Sequence, residues 1–101
     1  MSLHAGRKNI PVAGVPLTLA SVRTPASWLL VTADINNKGW IFVGDHITRN
    51  DAPGPYEGAP LKAGEWFYFR EAGGHTYIDL QYVYVDAELN TDAVTFLYSR
   101  L

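Results

Sequence analysis

The chain contains no cysteine, which excludes disulfides and thiol chemistry and fits synthesis in a reducing cytoplasm. Charge is scarce: Asp, Glu, Lys and Arg make up 18% of 101 residues and sum to −2. No global field therefore exists to draw in nucleic acid or an anionic membrane. No apolar run approaches the ~18 residues that a membrane-spanning helix needs. The stretch Met1–Pro11 is polar and basic, with no apolar segment after it, and does not read as a secretory signal. A soluble protein, folded in the compartment where it is made, is the expectation. No window sustains an i, i+3, i+4, i+7 apolar stripe, so helix content should be small. Internal repeats and low-complexity tracts are also absent.

What is present is hydrophobic and aromatic, at 48% and 13% of residues. The length sets one domain, able to bury roughly two-thirds of its unfolded surface without staples. Trp28–Asp34 alternates, with Leu29, Val31 and Ala33 on one face and Trp28, Leu30 and Thr32 on the other. After Asn36-Asn37-Lys38-Gly39 the β-prone run Trp40–Gly44 resumes, and the two runs read as a β-hairpin across a Gly-containing loop. Upstream, Val15–Ala20 alternates around Pro16, which cannot donate to a ladder and marks a first or edge strand. Downstream, Asn50–Pro60 holds three prolines and two glycines in eleven residues and reads as an irregular surface loop. Lys62-Ala63-Gly64 turns the chain into Glu65–Arg70, whose two faces are both apolar, as in a central strand or one covered by a neighbouring subunit. Tyr77–Leu80, Tyr82–Val85 and Ala93–Tyr98 complete about seven strands. That pattern predicts an all-β, antiparallel β-sandwich or jelly-roll-like barrel over residues 15–101. Residues 1–14 lack a periodic apolar pattern and read as an extended N-terminal arm, either solvated or ordered against a partner.

Catalytic chemistry finds little support. His4, His46 and His75 are scattered, with no metal-ligand spacing; Asp45 and Asp51 are the nearest carboxylates to a hypothetical His46–His75 pair. None of Ser2, Ser21, Ser27 and Ser99 sits in a nucleophile elbow. Acidic residues are spread through turns, Gly73-Gly74 is not a phosphate cradle, and the basic residues Arg23, Lys38, Arg49, Lys62, Arg70 and Arg100 stand apart. No enzyme activity, cofactor or metal is expected. The aromatics Trp28, Trp40, Trp66, Phe67, Tyr68, Tyr77, Tyr82 and Tyr84 exceed what one face of a small core needs. Three uses are open to them: filling the interior, anchoring a subunit interface, or stacking on sugars.

Val15-Pro16-Leu17, then LLVTADINNKGWIFVGD, GAPLKAGEWFYF, YIDLQYVYVDAE and AVTFLYSR, resembles the small β-sandwich structural proteins of tailed bacteriophages. The matching elements are Asn37–Gly39, Phe42–Asp45, Gly58–Glu65, Tyr82–Val85 and Val94–Tyr98, in order, from Val15 onward. The resemblance implies a non-enzymatic virion component, most often a capsid decoration (cement) protein. Such a protein is made in the bacterial cytoplasm and bound to the head surface as a homotrimer on the major capsid protein. A neck or tail accessory protein is the near alternative; a carbohydrate-binding module and a small cupin-like enzyme are the others. On this reading Leu3–Pro11 and Asn50–Pro60 make the inter-protein contacts, through His4, Arg7, Lys8, Ile10, Pro53, Pro55 and Tyr56, with Trp66 and Tyr68 from the aromatic strand.

Overall fold

The computed structural model describes residues 2–44, 59–70 and 78–101. In chain order the elements are β1 (Ser2–Asn9), β2 (Leu17–Thr18), β3 (Pro25–Ala33), β4 (Ile41–Gly44), β5 (Ala59–Leu61), β6 (Trp66–Arg70) and β7 (Ile78–Asp79). A 3₁₀ turn (Leu80–Tyr82), β8 (Tyr84–Ala87) and β9 (Ala93–Arg100) follow. They form two antiparallel sheets. Sheet A runs β1-β9-β3-β6, with β7 also paired to β3, and sheet B runs β2-β8-β4-β5. With β7 set aside, the pairs β1·β9, β2·β8, β3·β6 and β4·β5 nest from the outside inward. This is one long hairpin rolled up until β9 meets β3 and β8 meets β4. Such nesting is the connectivity of a jelly roll. The all-β sandwich expectation holds, as two separate layers rather than a closed barrel.

The core lies where the strand periodicity sends it. Leu29, Val31 and Ala33 of β3 are fully buried, and their register partners on β9 are Tyr98, Phe96 and Val94. Sheet B answers with Ile41 and Val43 of β4, Val85 and Ala87 of β8, and Leu61 of β5. Pro60 sits inside β5, an edge strand, where a residue without an N–H is tolerated; the irregular loop expected over Asn50–Pro60 is described only at Ala59 and Pro60.

Three expectations are corrected. The segment read as an arm is, over Ser2–Asn9, a full strand paired residue for residue with β9. Its alternation is disguised because His4, Gly6 and Lys8 face inward, opposite Tyr98, Phe96 and Val94. His4 stacks on Tyr98 with ring centroids 5.3 Å apart, and the Phe96 ring occupies the volume a side chain at position 6 would take. A Cβ on Gly6 would lie 2.5 Å from Phe96 Cζ. Gly6→Val is therefore expected to displace the ring and cost about 1–3 kcal/mol in urea unfolding, with Gly6→Ala less severe.

The second correction concerns the hairpin. β3 and β4 belong to different sheets, so Asp34–Trp40 is an arch between layers rather than a hairpin turn. A two-residue hairpin turn of the favoured kind needs positive φ, and among the described residues only Gly14, Gly64 and Thr91 have it. Gly39 is required for a different reason: a Cβ there would meet Glu88 Oε1 and Leu89 Cγ at 3.0 Å. The arch is held by the β8–β9 link. Asp92 accepts from the N–H groups of Lys38 (3.1 Å) and Gly39 (2.9 Å). The Asn37 side chain accepts from Ala93 N–H at 2.8 Å and donates to Ala93 C=O at 2.7 Å, as a neighbouring strand would.

Thirdly, β6 is not central: among the described residues it pairs with β3 alone, and within the single chain Trp66, Phe67 and Tyr68 are exposed, which leaves a covering neighbour as the other half of that expectation. None of the described members of the aromatic set is fully buried, although Phe67 holds an inward register position opposite Val31. Trp66, Phe67, Tyr68 and Tyr82 are exposed, and Trp28, Trp40 and Tyr84 are only partly buried. Tyr77 lies outside the described residues. Phe42 is the large buried aromatic, with Phe69, Phe96 and Tyr98 packed against the core rim.

Candidate interaction surface

The outer faces of the two sheets differ. On sheet B, the register places Phe42 and Asp86 opposite each other and away from the core, yet both are buried. Asp86 Oδ1 accepts from Gly14 N–H at 2.9 Å and from Ala87 N–H at 2.8 Å, while Ala13 N–H donates to Asn90. The β1–β2 link is thus pinned across that face.

On sheet A the outer face exposes large side chains, and the register arranges it in three cross-strand rows running from β1 to β6. The first is Arg7, Thr95, Thr32 and Trp66; the second is Ala5, Leu97, Leu30 and Tyr68; the third is Leu3, Ser99, Trp28 and Arg70. No carboxylate occurs in any row. Trp66 is 64% exposed, Leu3 65% and Tyr68 46%, which is unusual for a contiguous apolar patch on a protein that acts alone. The patch is not flat. A shallow hollow of about 590 Å³ lies over the β1–β9–β3 half, lined among others by Ala5, Thr95, Thr32 and Leu97. Trp28 and Tyr68 rise beside it, ring centroids 6.2 Å apart and planes tilted by 38°.

One end of the face is anchored by an ion pair. Asp34 accepts from the Arg7 guanidinium through Oδ2 and from Asn36 N–H, at 2.9 Å, through Oδ1. Arg7 Nε also donates to Asn9 at 3.1 Å. The Asn36 N–H first, then the Arg7 guanidinium, hold the Asp34 carboxyl below its ordinary value of 3.8. A carboxyl lowered in the folded state contributes stability above its unfolded pKa and loses it as pH falls through the folded value. Urea midpoints measured from pH 6 down through the acid range should therefore drop faster in the native chain than in Asp34→Asn. Equal slopes for the two would show that the contact contributes nothing.

The residues expected to meet a partner fall into four groups. Trp66 and Tyr68 lie on the outer face of sheet A, and Arg7 borders it. His4 and Lys8 belong to the same strand as Arg7 but point to the core side at the open edge of β1. Ile10 is fully buried in the core, donating its N–H to Asp92 C=O, and offers no side chain to a partner. Pro53, Pro55 and Tyr56 lie outside the described residues, as do His46 and His75. Leu3 and Ala5 fall within the expected Leu3–Pro11 contact segment and Trp28 within the aromatic set offered as interface anchors, while sequence reasoning missed Leu30 and Leu97 as parts of this face. Only the pairing of β1, β9, β3 and β6 brings them together; the one local signal was the outward alternation of Trp28, Leu30 and Thr32.

Trp40 stands apart from the patch. It precedes β4 in sheet B, carries the Lys62 ammonium 5.2 Å from its ring centroid, and borders a hollow of about 300 Å³ with Lys38 and Glu88. Among the described residues no group of three or more His, Asp or Glu converges as metal ligands. No protein-family model matches the chain, and no curated protein or solved structure does so either.

Proposed function

We propose that this protein is a non-enzymatic structural component of a phage virion, a decoration protein that binds the outer surface of the head and stabilises it. The observation that carries the reading is the set of exposed large apolar side chains, Leu3, Trp66 and Tyr68, on the outer face of sheet A beside a more covered sheet B. Trp and Tyr are the side chains that anchor protein interfaces. A jelly roll suits this use because it buries its core between two sheets and leaves a whole sheet face free to meet another protein, although fold alone does not dictate function. The ordered set of motifs from Val15 to Arg100, which resembles small phage sandwich proteins, supplies the virion context. Many copies seated on one shell would turn a modest contact into stable attachment, with the major capsid protein as the partner. The chain would be made in the host cytoplasm and act on the capsid surface.

The test is to mix the purified protein with empty capsids of the parent virus and image the particles. Density added at symmetry-related positions of the outer shell is the expected result, lost in Trp66→Ser if sheet A makes the contact. Bare capsids would overturn head decoration and move the assignment to the neck or tail.

A further inference from the structure

We propose that the outer face of sheet A docks a second copy of this chain, about a two-fold axis parallel to the strands, so that β6 of each copy lies over β1 of the other and β3 over β9. Such pairing needs no capsid, and it differs from the three-fold association that the phage resemblance implies.

The relief of the face points to this partner. Its β6 side is tall, carrying Trp66 and Tyr68, and its β1–β9 side is low, with Ala5 and Thr95 lining the hollow of about 590 Å³. A two-fold axis along the strands reverses the order of strands between facing sheets and preserves the rows. Tall then meets low in the second row, while Leu3 falls over Arg70 in the third. Tyr68 falls over Ala5 and Leu30 over Leu97 in the second row. In the first, Trp66 falls over Arg7, whose guanidinium is already steadied by Asp34 and is placed for a cation–π contact. The two arginines of the face, Arg7 and Arg70, sit in different rows, so neither meets its own counterpart. A two-fold axis across the strands would instead set β6 on β6, with bulk against bulk. Isologous packing of this kind uses one patch on both copies and closes at two.

The face is modest in extent. Four strands at ~4.8 Å spacing and the five residues over which β6 pairs, at ~3.3 Å rise, give a flat footprint of roughly 300 Å² per copy. Protruding side chains enlarge it, which places the pairing at the small, reversible end of the interface range. Facing sheets pack about 10 Å apart, a gap that side chains from both can fill.

Sedimentation equilibrium of the full chain across the micromolar range is the first measurement. The expected species has twice the 11.2 kDa chain mass. Ala5→Tyr, which fills the hollow, and Tyr68→Ala, which removes the bulk above it, should each weaken pairing at least ~30-fold, the size of a hot-spot loss. Both positions are exposed, so circular dichroism should show each variant folded. The combined variant moves bulk from β6 to β1 and should recover most of the affinity. A monomer at every concentration, a three-fold mass, single variants that pair as the native chain does, or a combined variant without recovery would each overturn the arrangement. The pairing draws on the same face as the decoration reading, and capsid imaging separates the two: protein that pairs yet leaves capsids bare would remove the decoration reading and leave the pairing in place, whereas a monomer that decorates capsids would overturn the pairing alone.

Discussion

Replacing Asp92 by alanine is expected to lower the unfolding free energy by about 2–4 kcal/mol, since hydrogen bonds to a charged group contribute about 1.5–3 kcal/mol each and two part-buried ones are lost. Asp92 is 6% exposed, and its two carboxylate oxygens separately hold Lys38 N–H and Gly39 N–H, the turn of the β3–β4 arch. Its backbone C=O, which accepts from Ile10 N–H, is untouched by the substitution. The loss would be local to the side chain, yet it would loosen the connection between the two layers. For a domain of this length the melting temperature should fall by roughly 10–25 °C. Asp92→Asn keeps one acceptor and should fall between the two. Asn90→Ala removes a single exposed bond to Ala13 N–H and should cost no more than about 1 kcal/mol. Urea unfolding followed by tryptophan fluorescence measures all three. Asp92→Ala and Asn90→Ala with equal midpoints would mean the arch is held by its other contacts, chiefly the paired hydrogen bonds of Asn37.

That arch also marks where the sequence stops being legible. The β3 and β9 strands are plain from alternation, and the edge position of β2 from Pro16. Pairing is another matter, because the decisive contacts lie far along the chain. Asn36-Asn37-Lys38-Gly39 suits a hairpin or an arch equally well; the choice is made by Asp92 and Ala93, more than 50 residues away. β1 was hidden because its inward positions are His4, Gly6 and Lys8, none of them aliphatic, and because the apolar mass opposite Gly6 is supplied by Phe96. For β6 two apolar faces left a central strand and one covered by a neighbouring subunit equally open, and only the pairing with β3 at the end of sheet A removes the first. Of the interaction face, Arg7, Trp66 and Tyr68 were found from the sequence, with Leu3 and Ala5 inside the expected contact segment. Ala5, Leu97 and Leu30 form a row solely through register, and no window of the sequence holds all three.

Adjacent leucines on β3 give the sharpest test of which side of the sheet is which. Leu29 is fully buried in the core, opposite Tyr98 on β9 and Phe69 on β6. Leu29→Ala removes packed methyl groups from a site walled by both sheets, and its expected cost is about 2–5 kcal/mol, with the spread set by how far the neighbours collapse into the space. Leu30, one residue on, points to the outer face and is only partly buried. Leu30→Ala should therefore cost under about 1.5 kcal/mol in a dilute sample, where the chain stands alone. At concentrations where copies pair, the ranking by association should reverse: Leu30→Ala loses the contact with Leu97 of the facing copy, while Leu29→Ala leaves the outer face unchanged as long as the domain stays folded. Chemical unfolding at low and high protein concentration separates the two effects, because pairing stabilises only the folded chain and makes its midpoint concentration-dependent. Equal costs for the two leucines at low concentration would mean that the inner and outer faces of sheet A had been exchanged, a one-residue slip that would turn every side chain of β3 to the opposite side.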